Sequence, residues 1–136
     1  MAAPTYIRGG SSSGASGTNP SVTLAAAPTD GDLLIAEVNL NAGGTITAAN
    51  GYTIATGNNI LNSDRHAVLR KVASGDGAVQ QPATVSTGAW ACHVHNYRGD
   101  TTSWAERASN GQATGAGSVA TTPTVPPTAS IAAVVF

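Results

Sequence analysis

The punctuation of this chain constrains its fold more than anything else in it. Gly or Pro interrupts nearly every window, and no stretch of a dozen residues keeps apolar side chains at i, i+3 and i+4. An amphipathic helix needs that spacing, so helices are not expected. What remains are short alternating runs between turn residues, the pattern of an all-β, jelly-roll-like two-sheet β-sandwich.

The runs can be placed one by one. In "SVTLAAA", Val22 and Leu24 alternate with Thr23, and "PTDGD" then supplies turn chemistry. "LLIAEVNL" sets Leu34, Ala36, Val38 and Leu40 on one face and Leu33, Ile35, Glu37 and Asn39 on the other. A strand apolar on both faces at its start and on one at its end reads as a central strand emerging at a rim. "TITAANGYTIATG" is two short runs around Asn50-Gly51, a strong hairpin signal. "HAVLRKVASGDG" and "ATVST" add two strands, and "SIAAVVF" closes the chain on another. "VATTPTVPP" is excluded as a central strand by Pro123, Pro126 and Pro127.

Residues 8 to 20, "RGGSSSGASGTNP", have the composition of a linker. The expected organisation is therefore a flexible N-terminal arm over residues 1–20 and a sandwich domain over 21–136. Thr5, Tyr6 and Ile7 at the arm's tip are read in two ways: a sticky end that orders on a partner, or a frayed terminus.

Composition bounds the function. Leu, Ile, Val and Phe make up 24 of the 136 residues, below the ~20% of a well-filled core. With a net charge of -1 this predicts a thin folded core rather than disorder. Only 10% of residues are charged, against ~25% in a typical soluble domain. A surface of Thr, Ser, Asn, Gly and Ala suits contact with other protein. The six cations, Arg8, Arg65, Arg70, Lys71, Arg98 and Arg107, form no basic cluster, so direct nucleic-acid binding is not expected. No apolar run approaches the ~20 residues of a membrane helix, and no charged start followed by an apolar stretch marks a secretory signal.

"WACHVHNYRGD", residues 90 to 100, looks most like chemistry. Extended, it points Trp90, Cys92, Val94 and Asn96 one way and Ala91, His93, His95 and Tyr97 the other. The first set is mostly apolar and is expected to face inward. His93 and His95 have a chelating spacing but lack a third ligand, so they are read as exposed or partner-contacting side chains rather than a metal site. Cys92, sent to the face opposite both histidines, is read as structural rather than nucleophilic. Arg98-Gly99-Asp100 is read as a strand end running into a turn. Asp30 with Asp32, or Asp76 between two glycines, offers a calcium alternative to turn formation. No two carboxylates are paired as glycoside hydrolysis would need. The expectation is a non-enzyme without cofactor.

The runs "DGDLLIAEVNLNAG", "ITAANGYTIATG", "RHAVLRKVASGDG" and "WACHVHNYRG" together resemble a domain of tailed-bacteriophage virion structural proteins. The resemblance rests on Gly31, Asp32, Leu33 and Leu34; on Gly51, Tyr52 and Thr53; on Arg70, Val72 and Ala73; and on Tyr97, Arg98 and Gly99. It implies a β-sandwich with no catalytic residues. It further implies a capsid cement or decoration protein, made in the host bacterial cytoplasm and placed on the capsid exterior of the virion. Its partners would be the major capsid protein and other copies of itself. The alternative is a receptor- or glycan-binding module of a tail fibre, with Trp90, Tyr97 or Trp104 as an aromatic platform.

Overall fold

A computed structural model describes residues 4–41, 43–61 and 64–99. Within them lie nine strands and no helix: β1 (Thr5–Gly14), β2 (Val22–Thr23), β3 (Leu33–Leu40), β4 (Ile46–Ala48), β5 (Thr53–Leu61), β6 (Asp64–Val72), β7 (Val79–Gln80), β8 (Ala83–Val85) and β9 (Trp90–Arg98). One antiparallel sheet of five strands runs β1-β9-β3-β6-β5, and two ribbons, β2-β7 and β4-β8, face it. The protein is an all-β sandwich whose second layer is split into those ribbons. The expected closing strand "SIAAVVF", and with it the expected jelly-roll arrangement as a whole, lies outside the described residues, as does "VATTPTVPP".

β3 is the central strand, as its two apolar faces require. Its inward residues Leu34, Ala36, Val38 and Leu40 are buried with Ala67 and Leu69 of β6 and Cys92 and Val94 of β9. Val22, Leu24, Ile46, Tyr52 and Ala83 close over them from the opposite layer. Full burial of each Leu, Ile or Val contributes ~1.5–3 kcal/mol. The four alanines of this cluster, Ala36, Ala67, Ala73 and Ala83, contribute far less, so the interior is thin.

Two expectations are corrected. Asn50 and Gly51 do make a turn with positive φ, 50° and 80°, closed by Tyr52 N–H donating to Ala49 O at 3.0 Å. The strands beside it do not pair as a hairpin: β4 pairs with β8, and β5 with β6. The turn is a corner between layers, because β4 before it belongs to a ribbon and β5 after it to the five-stranded sheet.

The second correction is larger. Residues 5–14 are no flexible arm; they are β1, paired with β9 from Thr5 opposite Arg98 to Gly14 opposite Trp90. Glycine and serine read as linker because they offer no side chain to pack, yet a ladder is made by main-chain N–H and C=O groups alone. The missing side chains are needed here. A Cβ on Gly10 would come within 2.8 Å of Val22 Cγ1, and one on Gly14 within 2.4 Å of Trp90 Cζ2. The main chain of β1 lies where a larger residue would collide with the core.

Candidate functional site

Alternation along β9 decides what the molecule shows to its surroundings. Trp90, Cys92, Val94 and Asn96 are buried, while Ala91, His93, His95 and Tyr97 point outward. The register sets Glu37 of β3 opposite His93, Ile35 opposite His95 and Leu33 opposite Tyr97. On the far side of β3, Val68, Arg70 and Val72 of β6 continue the same outward face. Towards the edge, Gly9, Ser11 and Ser13 of β1 lie beside His95, His93 and Ala91. Tyr6 sits at the end of this shallow strip. It is 54% exposed, edge-on to Tyr97 with ring centroids 5.6 Å apart, and tilted against His95 at 6.2 Å.

The fold thus gathers residues the sequence had placed ninety positions apart. Tyr6, His93 and His95 share the outer face. Thr5 is exposed at the strand's start, and Ile7, half-buried, falls at the irregularity between Tyr6 and Arg8. Burial pushes the Tyr97 hydroxyl up, helped by Tyr6 and the Glu37 charge. Chemically the face mixes aliphatic, aromatic, imidazole and hydroxyl groups with few charges, Glu37 and Arg70 among them.

At one end of the sandwich is a polar latch. Asp32, 2% exposed, accepts from Arg98 Nε at 2.7 Å and Nη2 at 2.8 Å, from Asn96 Nδ2 at 3.0 Å and from Thr29 N–H at 3.0 Å. Arg98 Nη2 also donates to Thr29 Oγ1 at 2.6 Å. The guanidinium first, then Asn96 and Thr29, hold the Asp32 carboxyl down at about 2 against the opposing push of burial. Arg98 is therefore engaged by its own chain at the end of β9, where the triplet reads as a strand end running into a turn; Asp100 lies outside the described residues. The latch had no local signal, because its members are 64 and 66 residues apart. The one available clue was Asn96, a polar residue on the inward face that had to find partners.

The remaining candidates are occupied in similar ways. Asp30 Oδ1 accepts from Gly75 N–H at 2.7 Å, and Asp76 pairs with Lys71 and accepts from Ser74 N–H. Lys71 also stands 5.7 Å from the centre of the Tyr52 ring. Among the described residues no group of three His, Cys, Asp or Glu side chains is arranged to hold a metal ion. Cys92 is fully buried, and burial, with the Glu37 charge, pushes its thiol up to about 12. A shallow polar depression of about 360 Å³ lies between Asn50, Asp76, Gln80 and Gln81. Its polar groups hold the fold: Asn50 Nδ2 donates to Gln81 O, and Gln80 bridges the Tyr52 hydroxyl and Gly77 O. Among the described residues no helix is long and apolar enough to cross a membrane. No protein family, curated protein or solved structure matches the chain.

Proposed function

We propose that this chain is a non-enzymatic structural protein of a tailed-bacteriophage virion, a cement or decoration protein on the capsid exterior. It would bridge and stabilise neighbouring major capsid subunits, without cofactor or direct nucleic-acid contact. The observation that carries the reading is the outer face of the five-stranded sheet, where Tyr6, His95 and Tyr97 cluster on a chain with only 10% charged residues. The sequence resemblance supplies the setting. Specific contacts typically bury ~1,200–2,000 Å², and many copies on one shell let each contact be weak.

The arm no longer supplies the mechanism, because Tyr6 is part of the sheet rather than a tethered tip. The contacting element is the face itself, with Tyr6, His93 and His95 in it, Thr5 opposite Arg98 at its end and Ile7 at its margin. The test is binding of purified protein to capsids lacking it. Tyr6→Ser with His95→Ser is expected to lower occupancy at least about tenfold, as loss of a central aromatic contact does. Unchanged occupancy would overturn the assignment of this face.

The same tyrosine pair favours one second reading, a receptor- or glycan-binding module of a tail fibre. Of the aromatic residues considered for that role, Trp90 is 6% exposed and turned inward, and Trp104 lies outside the described residues. Titration with host polysaccharide separates the two, since only the second reading expects saturable heat at the Tyr6–Tyr97 pair.

A further inference from the structure

β1 is held differently from β3, β6 and β9, the strands of the large sheet that supply its core. Its inward positions, opposite Asn96, Val94, Cys92 and Trp90, are Arg8, Gly10, Ser12 and Gly14. None of the residues of the hydrophobic core comes from β1. The strand is a lid of main chain: it covers Val22 and Trp90 by close approach, its ladder is with β9 alone, and Arg8 Nη1 donates elsewhere, to Ala27 O at 3.4 Å. Tyr6 is its one large side chain in contact with β9, against Tyr97 and His95.

Beyond Gly14 three side chains bond to the β8–β9 segment. Gly88 N–H donates to Ser16 Oγ at 3.0 Å, Trp90 Nε1 to Thr18 Oγ1 at 2.9 Å and Val85 N–H to Asn19 Oδ1 at 3.1 Å. Pro20 behind them is fully buried. Gly17, at φ +87° with open space around it, lies in the turn among these anchors, between Ser16 and Thr18. When β1 lifts away, these bonds still hold the slot's rim, while the strand carries no core side chain out with it.

We propose that β1 is exchanged between copies: the strand leaves its own sheet and fills the identical slot beside β9 of a second molecule. The partner is defined by chemistry already present. A second copy offers the same ladder, the same clearance over Gly10 and Gly14, and the same Tyr97 to receive Tyr6. Exchange re-forms every contact it breaks, which is why swapping of an identical element is a low-cost route to association. The Gly/Ser side chains give the strand little hold on its own molecule, and Tyr6 fixes the register in either location. The inference does not depend on the virion reading, since it concerns purified protein alone; capsid occupancy and strand exchange can fail separately.

Ser12 stands opposite the native Cys92, which makes the test direct. A Ser12→Cys, Cys92→Ala chain is mixed with wild-type chain at high concentration and then oxidised. A disulfide between positions 12 and 92 can form in this mixture only between different molecules. The expected result is a covalent heterodimer whose 12–92 link is located by peptide mass spectrometry. Absence of heterodimer, while the single Ser12→Cys chain closes its internal disulfide, would overturn the proposal. A second variant removes Ser16 and Gly17 so that β1 cannot turn back into its own slot. Sedimentation velocity is expected to show a shift from monomer to dimer or longer chains; a monomer would overturn the proposal independently. Capture of a strand from some other protein would leave both experiments monomeric and would equally overturn it.

Discussion

Replacing Asp32 by Asn changes almost no volume but removes the charge at the centre of the latch. The carboxyl falls from an ordinary 3.8 to about 2 in the folded protein. At ~1.36 kcal/mol per pH unit that gap corresponds to about 2 kcal/mol of stability. Arg98 is 45% exposed on its side chain, so solvent competes for it, and ~1–2 kcal/mol is the expected loss. The sign follows from the depressed value: this stability is fully present above about pH 4 and disappears as pH falls towards about 2. Urea unfolding of wild type and Asp32→Asn, followed by tryptophan fluorescence, reads it. With a slope of ~1–3 kcal/mol/M the midpoint should drop by roughly 1 M near neutral pH. The two midpoints should converge as pH approaches about 2, where the wild-type carboxylate is itself protonated. A variant indistinguishable from wild type near neutrality would refute the reasoning. So would a difference that persists unchanged under acid, because that loss would not come from the charge.

Other outcomes follow from packing. Cys92 should resist alkylation in the native protein and react at the rate of unfolding, because its thiol is buried and pushed up to about 12; rapid labelling without unfolding would contradict its placement. Gly14→Val should displace β1, since a Cβ there lies 2.4 Å from Trp90 Cζ2. In a Trp104→Phe background, Trp90 emission should shift to longer wavelength, and an unshifted spectrum would count against the pairing of β1 with β9. Leu34→Ala, at a fully buried site in the central strand, should cost ~2–5 kcal/mol in denaturant unfolding. A loss under ~1 kcal/mol would mean that the two layers do not close over it.

Legibility in the sequence followed side-chain pattern. β3, β6 and β9 were placed correctly because their apolar residues alternate, and "LLIAEVNL" announced a central strand by being apolar on both faces. The outward set of His93, His95 and Tyr97 came from the same period of two. β1 is not legible in this way, because its information is in what it lacks. Gly10 and Gly14 are small so that Val22 and Trp90 can approach, and nothing local distinguishes that from a linker. Asn50-Gly51 showed a turn but not its use, since a turn can join paired strands or carry the chain from one layer to the other. The meeting of Tyr6 with Tyr97 and the closure of Arg98 on Asp32 required the register of β9 with two different strands, which no single run contains.

The proposed role requires that the outward sheet face contact other protein on a virion shell. Counting copies of this chain in purified particles, by quantitative mass spectrometry against the major capsid protein, tests that most directly. The account predicts a number of the same order as the capsid subunits. Absence from particles, or a handful of copies at the tail, would contradict it.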